Sequence, residues 1–252
     1  MDDSTVQRYL ARIGFEGPPV PDWDTLAGLQ LAHLRSAPFE NIDVVAGGSM
    51  PVDAGASVPK VADQERGGWC FELNGAFAAL LEGVGFRVQR LPGLVYMGGT
   101  EASPMDDHLC LRVDLDRPWL VDVGFGDSFT QPLPLDSDEP VDDEAAGCRF
   151  RVTIDEGRGT LWSEHDESWR LDYEFALDPV QLSHFEPAAH FLSTNQDLDW
   201  SKKRFLTRLT DSGRVTLREQ KLLVRTGREV EETEVESEEH WRALAREWFD
   251  HG

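Results

Sequence analysis

The spacing of apolar residues changes once in this chain, at Gly85-Phe86, and that change limits the folds open to it. Before it, hydrophobic residues recur at helical intervals: Val6, Tyr9, Leu10 and Ile13, then Leu26, Leu29, Leu31 and Leu34, then Phe71, Phe77, Leu80, Leu81 and Val84. After it, segments 86–91, 94–97, 108–113 and 119–123 alternate apolar with polar residues, the pattern of half-buried strands. A helical first third and a sheet-rich remainder make an α+β chain. Helices are expected over 2–13 behind a Ser4 cap, from about Asp24 to 35, and over 70–84, closed by Gly83 and Gly85. The Gly17-Pro18-Pro19 turn separates the first two. Residues 46–65, rich in Gly, Ala, Pro and Asp, read as a loop or loosely formed segment.

Chemistry enters at the start of the third helix, in Arg66-Gly67-Gly68-Trp69-Cys70-Phe71-Glu72-Leu73-Asn74. Two glycines free the backbone ahead of Cys70. A thiol at a helix start faces unpaired N–H groups and the positive end of the dipole, and both favour the thiolate, the form that acts as nucleophile. A lone cysteine among aromatics is equally a core residue, so a role for Cys70 needs a base and an orienting group elsewhere.

Segments 108–113 and 119–123 supply candidates. If they form an antiparallel hairpin centred on Leu115, Val113 opposes Arg117, Cys110 opposes Leu120, and His108 opposes Asp122 on a shared face. Asp122 lies in the apolar run Val121-Asp122-Val123 before Gly124-Phe125-Gly126, and a carboxylate buried there requires a partner. A one-residue slip would put the pair on opposite faces. The remaining histidines, His33, His165, His184, His190, His240 and His251, lack metal-ligand spacing, and no metal is expected.

Composition narrows the partners. The net charge is −23, with 47 acidic against 24 basic residues, which disfavours nucleic acid and anionic membranes. An anionic ligand would need a local basic patch or screening salt, and a salt-rich setting is one expectation from this balance. Lys202, Lys203, Arg204, Arg208, Arg214, Arg218, Lys221 and Arg225 form the one basic region, available to a phosphate-bearing ligand or to solvent. Three cysteines without a C-x-x-C pair argue against a disulfide framework. No apolar run reaches 18 residues and Met1-Asp2-Asp3-Ser4 is acidic, so a soluble cytoplasmic chain is expected. Further strands are expected at 149–154, 159–163 and 169–177, a short helix within 179–192, a hairpin of 205–210 and 214–218 across Asp211-Ser212-Gly213, and an amphipathic helix over 237–250.

Four ordered motifs resemble the arylamine N-acetyltransferase family: Pro38-Phe39-Glu40-Asn41-Ile42-Asp43, the stretch 66–74, Asp107-His108-Leu109, and 121–126. The hairpin from Leu209-Thr210 to Leu217 is similar as well, so the resemblance covers most of the chain. It implies a three-domain cysteine-transferase fold: an N-terminal helical bundle (1–85) carrying Cys70, a central β-barrel (86–190) carrying His108 and Asp122, and a C-terminal α/β lid (191–252). It implies a ping-pong acyl transfer in which Cys70 takes an acetyl group from acetyl-CoA as a thioester and passes it to an arylamine or hydrazine nitrogen, with His108 as base and Asp122 orienting it. By the same resemblance Phe39, Trp69, Phe71, Val95, Phe125 and Phe129 line the acyl and amine pocket, and Leu109 and Gly126 adjoin the cofactor. Asp127 stands where a second glycine is common, and an acid there works against the cofactor's anionic end. Related readings keep the thioester and change the partners: an amide synthase taking its acyl chain from a carrier protein, or a thiol hydrolase using water.

Overall fold

A computed structural model describes residues 1–48, 50–96, 103–227 and 229–251. Helix α1 (Asp3–Arg12) buries Val6, Tyr9 and Leu10 and is capped by Asp2, whose side chain accepts from the Thr5 N–H at 2.8 Å. The cap therefore falls two residues before Ser4. Helix α2 (Trp23–Ser36) starts on the equivalent Asp22 cap. A two-residue strand β1 (Phe39–Glu40) and a single turn α3 (Ile42–Val45) follow.

Residues within 46–65 depart from the loop expectation, because Ala54–Ala62 forms a helix, α4. Asp53 caps it through the Gly55 N–H, and Val58, Val61 and Ala62 pack inward. Its composition hides this: Pro59 lies inside the helix and Gly55 in its first turn. Helix α5 (Cys70–Val84) is buried on nearly every side, and Gly85 closes it in the left-handed conformation at φ 109°.

The sheet-rich remainder begins with β2 (Arg87–Val95), one continuous strand where two were expected. Gly98-Gly99-Thr100, turn material by composition, lies with Met97 outside the described residues. Strands β3 (His108–Asp114), β4 (Pro118–Val121), β5 (Leu133–Pro134), β6 (Val141–Asp143), β7 (Cys148–Asp155), β8 (Arg158–His165) and β9 (Ser168–Ala176) complete an eight-stranded sheet of order β5-β4-β3-β2-β9-β8-β7-β6. It curls until β5 meets β7, giving a nearly closed barrel filled by Leu91, Leu120, Phe129, Phe150, Leu161, Tyr173 and Phe175.

Helix α6 (Glu186–Thr194) leads to a second sheet, β10 (Phe205–Leu209), β11 (Gly213–Arg218), β12 (Lys221–Thr226) and β13 (Glu229–Glu234), with α7 (Glu238–Phe249) packing Trp241, Leu244 and Phe249 onto it. The order is β1-β10-β11-β12-β13, so the sheet begins with a strand from the far end of the sequence. Asn41 fixes that join: its side chain donates to the carbonyls of Trp200 and Lys203 and accepts from the Phe205 N–H, all within 2.9 Å. Among the described residues no helix is long and apolar enough to cross a membrane.

Candidate active site

Cys70 is the first residue of α5 and is 7% exposed. Its position is set by what surrounds the helix start. Gly67 and Gly68 serve close approach, since a Cβ at Gly67 would lie 2.0 Å from the Pro38 carbonyl and one at Gly68 2.6 Å from Glu72 Oε2. Neither adopts positive φ. Glu72, in the first turn, accepts from the Trp69 N–H at 3.3 Å and from Lys60 Nζ at 2.8 Å. Lys60 also meets Asp43, and Arg66 joins Asp43 to Glu40, so a buried ion network braces the segment before Cys70. Burial opposes the Glu72 charge and raises its carboxyl above the usual range, with Lys60 working against that rise.

His108 and Asp122 meet across β3 and β4, in a register that differs from the one expected. Val113 opposes Trp119 and Leu111 opposes Val121, which centres the hairpin on Asp116 rather than Leu115. Extending this pairing puts Cys110, not His108, opposite Asp122. The shift preserves face parity, because residues 108 and 110 share a face, and His108 reaches Asp122 diagonally. His108 Nε2 lies 2.6 Å from Asp122 Oδ2, and both residues are at most 3% exposed.

Asp122 is held from four directions. Besides His108, Oδ1 accepts from Asn74 Nδ2 and the Gly124 N–H, each at 2.8 Å, and Oδ2 accepts from the Tyr173 hydroxyl at 3.0 Å. These donors make a buried carboxylate tolerable. Asn74 also donates to the Leu109 carbonyl and accepts from the Val123 N–H, and so fastens α5 to β3 and to the loop after β4. Burial works against an imidazolium at His108. The Asp122 charge, its hydrogen bond and the hydrogen bond with Cys70 outweigh burial and push the imidazole up to about 10. With Nε2 on Asp122, Nδ1 is the ring nitrogen left for the thiol. Cys70 Sγ is also 3.6 Å from the Asp107 carbonyl.

Neither Asn74 nor Tyr173 emerged from sequence. Asn74 had a signal, since it lies four residues after Cys70 on the same helix face. Tyr173 had none, being 51 residues from Asp122 on β9, where it opposes Val95.

The aromatic residues fall into two groups. Trp69 stacks on Trp200 at 6.3 Å and meets Phe71 edge-on at 5.1 Å, while Phe39 lies 5.5 Å from Trp200 and Phe71 lies 5.1 Å from Phe185. Trp200 and Phe185 come from distant segments. In the second group, Phe125 lies 5.2 Å from His108 and 5.0 Å from Tyr173. Val95 is half-buried against the barrel interior. Phe129 sits deeper, 1% exposed and packed on Phe150 in the barrel core. Leu109 is fully buried, and Gly126, at φ 92°, presents its backbone to Phe39 and Thr207.

Most cations of the basic region are held by carboxylates, while the exposed Lys202 is in none of these pairs. Lys203 pairs with Asp199, Arg204 with Glu219 and Glu238, Arg208 with Asp250, Lys221 with Glu232, and both Arg214 and Arg225 with Asp127. Arg218 lies over the Phe205 ring. Two surface clefts, of about 400 and 520 Å³, lie elsewhere, one lined by Val52, Asp53 and His190, the other by Trp23, Arg87 and Asp116. Neither cleft is lined by Cys70, His108 or Asp122. Among the described residues no group of three or more His, Cys, Asp or Glu is placed to hold a metal.

Known proteins resemble this chain in sequence and in overall fold. The N-acetyltransferase family profile matches residues 22–251. The arylamine N-acetyltransferase of Mycolicibacterium smegmatis is 36% identical over 225 residues, which cover 86% of this chain and 80% of that protein. The solved structure of the Salmonella typhimurium arylamine N-acetyltransferase superposes with a TM-score of 0.92 at 28% identity, covering 99% of this chain and 92% of that one. That of the Mycobacterium marinum arylamine N-acetyltransferase, in complex with CoA, gives 0.89 at 26% identity, covering 98% and 92%. By profile, identity and three-dimensional likeness together, the chain belongs to the arylamine N-acetyltransferase family and is an acyltransferase.

Proposed function

We propose that the protein transfers an acetyl group from acetyl-CoA to the nitrogen of an arylamine or arylhydrazine by a ping-pong route through Cys70, His108 and Asp122. The observation that carries this reading is the buried His108–Asp122 pair beside a cysteine at a helix start. Asp122 favours the protonated imidazole, so His108 can hold the thiol proton and leave Cys70 as thiolate. The thiolate attacks the donor carbonyl, the new thioester forms, the donor C–S bond breaks, and the His108 proton goes to the departing thiolate. In the second half the amine attacks the thioester, His108 takes the N–H proton, and the Cys70 thiolate leaves.

The aromatic surroundings suit a flat, apolar acceptor. Phe39, Trp69, Phe71, Val95 and Phe125 are the side chains we assign to its pocket, with Phe129 supporting it from the barrel core, and Leu109 and Gly126 beside the donor. The M. marinum relative, solved with CoA, supports the choice of donor. We assign the work to three lengths of chain, 1–85 for the thiol, 86–190 for the imidazole and carboxylate, and 191–252 as the covering unit, acting in the cytoplasm.

The test is single-turnover labelling. Radiolabelled acetyl-CoA should leave one acetyl group on Cys70, Cys70→Ser should abolish it, and an arylamine should remove it as the amide. Absence of label would retire acetyl-CoA as donor. Loss of label to water at a rate indifferent to amine would make the protein a thiol hydrolase.

A further inference from the structure

The loop after Asp122 runs outward from the thiol. Gly124 lies against the Cys70 backbone, Phe125 against His108, and Gly126 against Phe39 and Thr207. Asp127 comes next, its side chain 51% exposed, and three residues of chain keep it within about 11 Å of Gly124. There it meets two arginines of the second sheet. Arg225 embraces the carboxylate with both terminal nitrogens, at 2.9 and 2.8 Å, and Arg214 Nε lies 2.9 Å from Oδ1. Arg214 is 4% exposed; its Nη1 reaches only Thr207, at 3.3 Å, Nη2 has no hydrogen-bond partner, and Nε, though close to Asp127, is not aligned for a hydrogen bond with it. Ser128 Oγ, the next side chain along the loop, is likewise buried without one. Asp143 also faces this cluster, already satisfied by the Thr130 N–H and hydroxyl and the Ala146 N–H, and the Cys148 thiol lies close enough to feel Asp127 and Arg225. Burial works against the Arg214 charge, and Asp127 is the foremost group restoring it.

We infer that Asp127 determines donor selectivity: by occupying Arg214 and Arg225 it withholds both cations from the phosphate groups of an acyl donor, so recognition rests on the phosphate-free thioester arm. The inference builds on the acyl-transfer reading and deepens it. In a chain of charge −23, with Arg204 and Arg208 paired and Arg218 stacked, these two guanidinium groups share a single carboxylate that one substitution would remove.

The measurement is equilibrium binding by calorimetry of two probes, CoA and pantetheine, which share the thiol arm and differ in the phosphates. The ratio of pantetheine Kd to CoA Kd is compared in wild type, Asp127→Asn and Arg225→Gln, each checked for folding by its thermal melt. Freed of its counter-charge, the arginine pair in Asp127→Asn should raise the ratio by at least about threefold at low salt, with the gain fading as salt is added. Arg225→Gln leaves Arg214 with its partner and removes a cation, so the ratio should fall. Unchanged ratios in both variants, a fall in Asp127→Asn, or no binding of either probe would overturn the inference. Because binding alone is read, failure of Cys70 to become acetylated would retire the acyl-transfer reading separately.

Discussion

Replacing Gly124 by alanine tests how tightly the Asp122 loop is seated on α5, the helix that Cys70 opens. An ideal Cβ there would lie 2.7 Å from Cys70 Cα, 2.7 Å from Asn74 Nδ2 and 3.1 Å from the Cys70 carbonyl oxygen. Ordinary carbon contacts are about 3.5–4.0 Å, so something must retreat by about 1 Å. Two of the three obstacles are backbone. The third is an amide already committed to Leu109, Asp122 and Val123, so it cannot rotate aside. The helix start and the loop must therefore separate, at the cost of about 1–3 kcal/mol typical of overpacking. For a chain of this size that lowers Tm by about 2–12 °C. Because the displaced atoms are those of Cys70, acetylation of the thiol should slow by about 10²-fold, the usual penalty for a 1 Å misplacement. Scanning calorimetry and rapid-quench acetylation read the two effects. Gly14→Ala is the control: Gly14 sits at φ 68° with nothing within 4 Å, so it should lose about 1–2 kcal/mol to backbone strain and keep the acetylation rate. A Gly124→Ala protein with unchanged Tm and acetylation within about threefold of wild type would refute the packing argument.

Other outcomes are equally definite. Tyr173→Phe keeps the ring on His108 and loses the hydroxyl on Asp122, which should cost about 1.5–3 kcal/mol in urea denaturation, and a change under about 0.5 kcal/mol would mean the bond contributes nothing. His108 binds its proton more tightly folded than unfolded, so its stabilisation is complete below about pH 6.5 and fades as pH rises towards about 10. The stability gap between wild type and His108→Gln should accordingly shrink from pH 7 to 10, whereas a widening gap would reverse the sign of the argument. Iodoacetamide at neutral pH should modify Cys70 ahead of Cys110, which is fully buried, and Cys148, which burial pushes up to about 11; equal rates would contradict an activated Cys70. Added salt should raise Tm, because the net charge of −23 includes Glu229, Glu231, Glu232 and Glu234 exposed along β13, and a flat response would remove repulsion as a stability term.

What could be read from sequence followed local physics. Period located α1, α2, α5 and α7, although the cap of α1 was placed at Ser4 rather than Asp2, and a cysteine after two glycines marked a helix start before any fold was known. The His108–Asp122 pair survived a wrong hairpin centre because the error was even in register and kept both residues on one face. Helix α4 escaped because proline and glycine were weighed without the tertiary burial of Val58 and Val61. Strands β12 and β13 escaped because their charged residues mask the alternation. The basic region misled for a related reason, since counting cations cannot reveal the carboxylates folded against them. Tyr173, Trp200 and Phe185 reach the neighbourhood of Cys70 only through the closure of the barrel and second sheet, information that no local window contains.

The pairing of β1 with β10 carries a consequence for synthesis. Phe39 and Glu40 lie between Gly68 and β10, so the wall ahead of the nucleophile's helix requires residues 205–209. At about 5–20 residues per second, a ribosome needs about 10–30 s to travel from one partner strand to the other. During that interval the nascent chain holds a helix start with one side uncovered and Asn41 without its three backbone partners. The surroundings of Cys70 are thus completed late, and translation products halted between Asp122 and β10 would emerge with the thiol, the imidazole and the carboxylate all present and the enclosure around them unfinished.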